Sequence, residues 1–456
     1  MPLQKNQVLT LRVERLSSDG SSVAHSPDGE TVFIPGAAPG DEARVRIVKD
    51  CKRYAFGILD EVLTPSPDRI PVDCAVAGPC GGCSLRHLDY AAELRAKQEN
   101  VADAFARIGG LDVPVLPIVG SPEVNRYRNK VQFPVGVDKS GKPCIGFYAG
   151  RTHRIVPCPD CRLQPGVLNE IGNALCAFFA EKGIQPYSEE TGRGLVRHIF
   201  LRRGAHSGQI MVCLVCTRAK LPSAEELCTR LKAQFAEITT ILLNVNAKNT
   251  NVILGTETHT LYGPGYIEDT LCGVPVQLGP LSFYQVNTLA AEQLYGIAAQ
   301  YAQLTPDDLL LDLYCGMGTI GLSMAAHCRE LIGVEIVPEA IESAKANAAR
   351  MGADVAAKSR FFCADAGQAA TRLAAEGLHP DIVMLDPPRK GCDEATLSAV
   401  VRMSPRRVVY VSCNPATAAR DAAWLEQNGY HAEKVQPVDL FPRTRHCECV
   451  LSLSKV

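Results

Sequence analysis

The pattern of hydrophobic and polar positions divides the chain into three successive regions. Over residues 7–63, short β-prone runs such as QVLTLRV, TVFIPG, ARVRIV and FGILDEVL alternate with the turn sequences SSDG, SPDGE and GAAPGDE. Short strands separated by such turns are typical of a small all-β barrel or sandwich. The proline-containing stretch 63–74 interrupts this pattern, so we predict a first domain over residues 1–65.

The second region mixes helical and strand patterns. The sequence predicts a helical run from about Tyr90 to Ile108 and strands at GLVRHIFLRR, GQIMVCLVCT and TTILLNV. It also predicts a helix from about Pro222 to Phe235 with Ser223 as its N-cap. This mixture indicates a central α+β domain over residues 66–275.

The third region alternates buried strands with helices. The apolar runs LLLDL, ELIGVE, DIVMLD and RVVYVS are separated by helical stretches, and residues 431–456 predict a terminal pair of strands. This alternation is typical of a doubly wound parallel sheet. We therefore predict a C-terminal α/β, Rossmann-like domain over residues 276–456.

Composition narrows the class of protein. A chain of 456 residues, 46% hydrophobic and 21% charged, is long enough for more than one core. Its formal net charge of -2 means that nucleic-acid binding would need locally concentrated basic residues. The first residues lack a continuous apolar run, and nineteen scattered cysteines favour metal or catalytic thiols in a reducing compartment over disulfides. We expect a cytoplasmic protein.

A glycine-rich loop follows the first strand of the third region. The run LLLDLYCGMGTIGL places Asp312 before this loop, and Glu335 ends the next strand, where a carboxylate could bind the ribose hydroxyls of a nucleoside cofactor. Gly316, Gly318 and Gly321 also satisfy the GxGxxG spacing of dinucleotide-binding dehydrogenases. The DLYCG turn together with the later DPPRKG segment favours a methyltransferase.

Cys413, in VVYVSCNPAT, follows a buried strand at the same edge of the predicted sheet. Position alone favours a packed small side chain, but a thiolate is suited to add to carbon 6 of uracil and so activate carbon 5. A base must then remove the carbon 5 proton. Glu448 is the candidate and His446 the alternative, while Asp386 in LDPPRKG is expected to bind the uracil edge or the methionine end of a cofactor.

A cysteine group stands in the second region. Cys74, Cys80 and Cys83 follow a Cx5CGGC pattern, and Cys158 and Cys161 in CPDC are available as further ligands. Such spacing suits thiolates that converge on one metal centre. The two CxxC-like pairs are also compatible with a four-thiolate zinc site.

Basic residues are concentrated in residues 121–203, which hold 13 Lys or Arg against 7 Asp or Glu. The segments NRYRNK, GRTHR and HIFLRRG contribute to this excess. Arg126, Arg128 and Lys130 alternate with Tyr127 and Phe133, as phosphate contacts beside base-stacking rings would. We predict a phosphate-binding surface here, whereas residues 1–63, with 8 basic and 9 acidic residues, show no such excess.

The combination of DLYCGMGTIGL, DPPRKG, SCNPAT and the terminal HCE resembles the RNA uracil-5-methyltransferases, in the branch that modifies 23S ribosomal RNA. The resemblance covers nearly the whole chain and likens residues 1–65 to a TRAM domain, an RNA-associated β-module. It implies that S-adenosyl-L-methionine is bound by Gln285, Tyr314, Glu335 and Asp386. It also implies that Cys413 is the nucleophile and Glu448 the base. Finally, it implies that a [4Fe-4S] cluster is held by Cys74, Cys80, Cys83 and Cys161, with Cys158 not a ligand.

The function expected from the sequence is S-adenosylmethionine-dependent methylation of carbon 5 of a specific uridine in 23S ribosomal RNA, by a monomer that extrudes its target base. A transfer-RNA uracil-5-methyltransferase is one alternative, although that branch usually lacks both the barrel and the cysteine group. A non-catalytic RNA-binding assembly factor is the other. Retention of Cys413, Glu448, Asp386 and Glu335 argues against it.

Overall fold

The computed structural model describes residues 3–150 and 152–456. Residues 1 and 2 of the predicted first domain and Arg151 of the predicted basic segment GRTHR lie outside the described residues. Five strands form a closed barrel in the order β1-β2-β3-β5-β4, as the strand pattern predicted. These strands are β1 Val8–Leu16, β2 Ser22–His25, β3 Thr31–Ile34, β4 Glu42–Asp50 and β5 Tyr54–Thr64.

The predicted helical run from Tyr90 divides into two parts. Helix α1 (Tyr90–Asp103) is capped by Asp89, whose carboxylate accepts from the Ala92 N–H at 2.7 Å, and it continues as a π-helical turn over Ala104–Gly109. A Cβ on Gly109 would stand 3.0 Å from the carbonyl oxygen of Ala419. Glycine at this position therefore lets the turn approach a C-terminal helix closely.

A seven-stranded mixed sheet forms the centre of the chain, in the order β12-β11-β10-β9-β6-β7-β8, and two helices cover it. The predicted Ser223 cap is wrong, because Ser223 is left-handed at φ 54° and its side chain makes no capping hydrogen bond. The elements are β6 Lys130–Val137, β7 Pro143–Tyr148, β8 Ile155–Pro157, α2 Gly166–Glu181, β9 Val196–Arg203, β10 Ile210–Cys216, α3 Ala224–Gln234, β11 Ile238–Val245 and β12 Glu257–Tyr262.

The C-terminal sheet has the order β17-β16-β15-β18-β19-β21-β20. Its first five strands are parallel and β21 runs antiparallel between β19 and β20, which confirms the doubly wound sheet with a terminal hairpin. The strands are β15 Leu309–Leu313, β16 Glu330–Glu335, β17 Ser359–Cys363, β18 Ile382–Leu385, β19 Arg407–Ser412, β20 Tyr430–Val438 and β21 Glu448–Lys455.

Helices cover both faces of this sheet, so its central strands are apolar on both sides. Leu309 and Leu311 pack into one core and Leu310 into the other. The helices are α4 Thr288–Ala302, α5 Thr319–Met324 with a 3₁₀ turn Ala325–His327, α6 Pro338–Met351, α7 Ala353–Lys358, α8 Ala366–Ala375, α9 Glu394–Met403 and α10 Pro415–Gln427.

A two-stranded hairpin, β13 (Ile267–Leu271) and β14 (Val274–Leu278), packs into one of these cores and was not predicted. The predicted domain boundaries 65/66 and 275/276 stay predictions. None of the helices in the described ranges is long and apolar enough to cross a bilayer. All nineteen cysteines are unpaired.

Candidate active site

The candidate residues of the C-terminal domain lie along one edge of its sheet. Leu313 of β15 pairs with Val334 of β16 and with Leu385 of β18, so the residues that follow, Tyr314, Glu335 and Asp386, stand side by side on three neighbouring strands. On the adjacent antiparallel pair, Ser412 of β19 faces Cys449 of β21, which sets Cys413 opposite Glu448. Strand order therefore brings five of the predicted residues into a single row.

The glycine loop after β15 is closed by Glu335. The backbone N–H groups of Gly316 and Val337 donate to its two carboxylate oxygens at 3.1 and 3.0 Å. Gly316 and Gly318 have φ of 55° and 80°, a conformation that favours glycine. The carboxylate thus stands at the glycine loop, while its contact with a ribose stays a prediction.

Asp312 supports the loop from inside. Its Oδ2 accepts from the Gly321 N–H at 3.0 Å, and its Oδ1 has no partner among the described residues. Burial raises the pKa of Asp312 to about 8; the Gly321 hydrogen bond opposes this shift, and the negative charges of Asp386 and Glu335 add to it by smaller amounts. A Cβ at Gly321 would stand 2.8 Å from Oδ2, so this glycine permits close packing of helix and strand.

Gln285, Tyr314 and Asp386 line one small cavity together with Tyr295 and Phe283. The Gln285 amide lies 3.5 Å from the Tyr295 hydroxyl. Tyr314 is left-handed at φ 67°, a conformation uncommon for a bulky residue. Phe283 is 74% exposed at the mouth of this cavity, and sequence reasoning did not single it out.

Cys413 occupies the short connection between β19 and α10. Asn414 caps α10 by accepting from the Ala416 N–H at 3.2 Å, and its amide donates to the carbonyl oxygen of Arg389 at 3.0 Å. The cap therefore joins the cysteine segment to the DPPRKG loop. Cys413 itself is half-buried and faces a large cavity.

The charges around the thiol affect one another. Burial first, and then the negative charges of Glu448 and Asp386, raise the pKa of Cys413 to about 11. Burial and Asp386 raise the pKa of Glu448 to about 8, while Arg389 opposes both shifts. Burial raises the pKa of Asp386 to about 7. A thiol and two carboxyls of elevated pKa thus share one buried environment, as acid–base sites commonly do.

His446, the alternative base, has the opposite shift. Burial first, and then the positive charges of Arg389 and Arg445, lower its pKa to about 4. A group with that pKa is neutral at pH 7 and a weaker proton acceptor than Glu448. The electrostatics favour Glu448 as the base.

A cavity of about 760 Å³ opens on Cys413 between the barrel and the C-terminal domain. Its walls come from three parts of the chain. They include Arg15, His25 and Phe33 of the barrel, Lys97 and Arg107 of the α1 segment, and Arg389 and Arg445 of the C-terminal domain. Sequence reasoning missed the barrel and α1 residues, because they carry no motif and become neighbours through folding alone.

The predicted metal ligands Cys74, Cys80, Cys83 and Cys161 line a separate cavity of about 250 Å³ together with Cys158. Within residues 3–150 and 152–456, no group of three or more His, Cys, Asp or Glu side chains is arranged to hold a metal ion. A hydrogen bond from Cys158 lowers the pKa of Cys161. The cysteines are therefore brought together around one cavity, whereas the metal centre stays a prediction.

The predicted phosphate-binding surface is in part wrong. Tyr127 and Phe133 are 5% and 0% exposed, so neither ring can stack on a base. Arg126 donates to the carbonyl oxygen of Cys161 at 2.7 Å. Arg128 and Lys130 line the cysteine cavity, where burial and the neighbouring arginines lower the pKa of Lys130 to about 8. These three basic residues therefore lie against the cysteine loops, whereas others of the segment, such as Lys142 and Arg193, are exposed.

The chain is similar to known proteins over nearly its whole length. A model of the tRNA (uracil-5-)-methyltransferase family matches residues 206–456, and a TRAM domain model matches residues 2–59. A protein of Halalkalibacterium halodurans named as an uncharacterized RNA methyltransferase is 43% identical, over 99% of this chain and 98% of its own length. One of Oceanobacillus iheyensis is 41% identical, again over 99% and 98%.

A solved structure with a similar fold is that of the Pyrococcus abyssi tRNA (uracil-54, C5)-methyltransferase in complex with S-adenosyl-L-homocysteine. It matches with a TM-score of 0.77 at 26% identity, over 98% of this chain and 100% of that chain. The likeness thus includes the barrel, the central sheet and the C-terminal sheet. The chain belongs to the RNA uracil-5-methyltransferase family and carries a TRAM domain at its N-terminal end.

Proposed function

We propose that this protein is a cytoplasmic, monomeric enzyme that methylates carbon 5 of a specific uridine in 23S ribosomal RNA, with S-adenosyl-L-methionine as methyl donor. The observation that carries the proposal is the position of Cys413 opposite Glu448, one strand away from Asp386. A thiol, a carboxyl of elevated pKa and a carboxyl on the cofactor side are the groups that this reaction needs.

The methyl donor fits the neighbouring strands β16, β15 and β18. Glu335 stands where ribose hydroxyls would be bound, while Gln285, Tyr314 and Asp386 would surround the methionine end. The bound S-adenosyl-L-homocysteine of the Pyrococcus abyssi enzyme supports S-adenosyl-L-methionine as the methyl donor. When bound, the cofactor supplies an electrophilic methyl group on a sulfonium centre.

The reaction uses Cys413 and Glu448 in succession. The Cys413 thiol gives its proton to water and Sγ bonds to carbon 6, while the π electrons of the 5,6 double bond move to the carbon 4 oxygen as an enolate. Carbon 5 then takes the methyl group, and the electrons of the broken sulfur–methyl bond stay on the departing sulfur. Glu448 removes the carbon 5 proton, the double bond re-forms and Cys413 leaves as a thiolate.

An extruded base has a place in this structure. The cavity of about 760 Å³ is within the range of ligand sites and ends at Cys413. Arg15, Arg107, Arg389 and Arg445 lie along it and suit the flanking phosphates. We infer that the RNA enters between the barrel and the C-terminal domain, with its target uridine turned toward the thiol.

The choice of RNA rests on two opposing observations. The resemblance of the motifs to the 23S ribosomal RNA branch supports 23S ribosomal RNA, whereas the barrel does not decide, because the Pyrococcus abyssi enzyme matches over the barrel as well. The full-length likeness to a tRNA (uracil-54, C5)-methyltransferase favours transfer RNA as the second candidate. The non-catalytic assembly factor has no structural observation in its favour.

Methyl transfer from labelled cofactor to unmodified 23S ribosomal RNA and to unmodified transfer RNA tests these alternatives, with Cys413→Ala in parallel. We expect 5-methyluridine in ribosomal RNA alone and none with the variant. Label in transfer RNA alone would refute the substrate assignment but leave the chemistry intact. Absence of both transfer and covalent adduct would favour the assembly factor.

We also propose that Cys74, Cys80, Cys83 and Cys161 hold a [4Fe-4S] cluster, which would brace the central domain and help to present RNA-binding loops. A cluster wider than a single ion suits thiolates spread around a cavity. Arg86, Arg128 and Lys130 line the same cavity and would offset the negative charge of the thiolates. A Cys74→Ser variant that lost its iron yet kept its fold and full RNA affinity would contradict the bracing role.

A further inference from the structure

The segment between β20 and β21, residues 439–447, is here called the strap. It leads directly into Glu448, the proposed base. Four consecutive carbonyl oxygens of the strap each accept a hydrogen bond from a different segment of the chain. The Asn287 amide donates to Leu440 at 3.0 Å, and the Lys97 ammonium donates to Phe441 at 3.2 Å. The Tyr127 hydroxyl donates to Pro442 at 3.0 Å, and the Leu85 N–H donates to Arg443 at 3.1 Å.

Lys97 of α1 is the charged group among these donors, and it is 2% exposed. Its Nζ lies 2.7 Å from Glu93 Oε1 and 2.8 Å from Asp439 Oδ1, and both carboxylates are fully buried. A buried lysine of this kind is tolerated because it is paired on two sides. The pairing joins α1 to the first residue of the strap.

The same network holds the far part of the strap. Glu93 Oε1 accepts from the Arg443 N–H at 2.7 Å, and Tyr90 donates its hydroxyl hydrogen to Asp439 Oδ2 at 2.9 Å. Lys97 is thus bound to Asp439, to the Phe441 carbonyl and, through Glu93, to Arg443. The Lys97 ammonium therefore fixes three points along the strap, which leads into Glu448.

We propose that Lys97 is a positioning residue for the proposed base, acting through the strap to hold Glu448 against Cys413. This inference rests on the proposed function. Addition of Cys413 and methyl transfer precede the step that uses Glu448, whereas release of the product requires it. Loss of the Lys97 anchor should therefore slow release and leave the earlier steps intact, so that a methylated enzyme–RNA adduct accumulates.

Lys97→Met tests this, since it keeps an unbranched side chain that is one atom shorter and removes the charge. The measurements are steady-state turnover, S-adenosylmethionine affinity and the amount of denaturant-resistant adduct that carries labelled methyl. Displacement of a catalytic group by about 1 Å can cost about a hundredfold in rate. We therefore expect turnover of Lys97→Met to fall by about tenfold to a hundredfold. The adduct should accumulate as in Glu448→Gln, and the affinity for the cofactor should be unchanged. Lys345→Met, at an exposed lysine of α6 paired with Glu342, is the matched control and should behave as wild type.

Wild-type turnover in Lys97→Met would overturn the inference. Loss of turnover without accumulation of the methylated adduct would also overturn it, provided that Lys97→Met keeps the wild-type circular dichroism spectrum. Should Lys97→Met not fold, Glu93→Gln decides, because it keeps an acceptor for the Arg443 N–H and removes one of the two carboxylates that hold Lys97. Slower release with adduct in this variant supports the role, and wild-type release refutes it. If wild-type enzyme transfers no methyl and Glu448→Gln traps no adduct, the proposed function fails instead.

Discussion

Release of the methylated product should depend on pH through Glu448. Burial first, and then the negative charge of Asp386, raise the pKa of Glu448 to about 8. A carboxyl with that pKa is ionised in about one molecule in ten at pH 7 and in about nine in ten at pH 9. Because only the carboxylate can accept the carbon 5 proton, the rate of adduct collapse should rise about tenfold over this range and level off above it.

A double-mixing experiment isolates this step. Enzyme, RNA and labelled cofactor first form the adduct at pH 7, and a second mix brings the pH to a value between 6 and 10 before a denaturing quench. Forming the adduct beforehand removes the contribution of Cys413, whose pKa, raised to about 11 by burial and then by Glu448 and Asp386, would also speed the attack as pH rises. Glu448→Gln is the control and should collapse slowly at every pH.

The outcome that refutes the reasoning is a flat profile. A glutamate with an ordinary pKa of about 4.3 would be ionised throughout this range, and the collapse rate would not change between pH 6 and 9. A wild-type rate that is independent of pH would show either that Glu448 is not the base or that RNA binding abolishes the effect of burial. Collapse of the Glu448→Gln adduct at the wild-type rate would exclude Glu448 directly.

Three other perturbations test the site and its surroundings. Glu335→Gln should weaken S-adenosylmethionine binding by about tenfold to a hundredfold in calorimetric titrations, since a hydrogen bond to a charged group contributes about 1.5–3 kcal/mol; unchanged affinity would remove Glu335 from the site. Asp312→Asn should raise the melting temperature at pH 8 and not at pH 4. Burial raises the pKa of Asp312 to about 8 in the folded state, so the wild-type carboxyl destabilises the fold increasingly as pH rises from about 4 to 8. Equal effects of the substitution at both pH values would contradict this. Arg15→Ala should weaken RNA binding and reduce the slope of log affinity against log salt concentration by about one. Arg44→Ala, on the same barrel but outside the cavity wall, should change neither quantity. Equal losses of affinity in both variants would argue against the proposed RNA path.

The sequence by itself determined the elements of the C-terminal domain and the positions of its chemistry. Strands buried on both faces require continuous apolar runs, and those runs located β15, β16, β18 and β19. The polar residues that interrupt them at their carboxyl ends, Glu335, Asp386 and Cys413, were visible because parallel strands end at a common edge. The apolar runs and the polar residues that end them are local features of the chain, so they can be predicted from the sequence alone.

Tertiary structure alone decided which of these residues are neighbours and which surfaces face solvent. Cys413 meets Glu448 because β21 inserts between β19 and β20, an order that the chain sequence does not follow. Tyr127 and Phe133 were read as exposed rings and are buried, because the packing of distant segments, and not the local pattern, sets their exposure. Lys97 lies far from the strap in sequence, and its role depends on two buried carboxylates that only the folded chain brings to it.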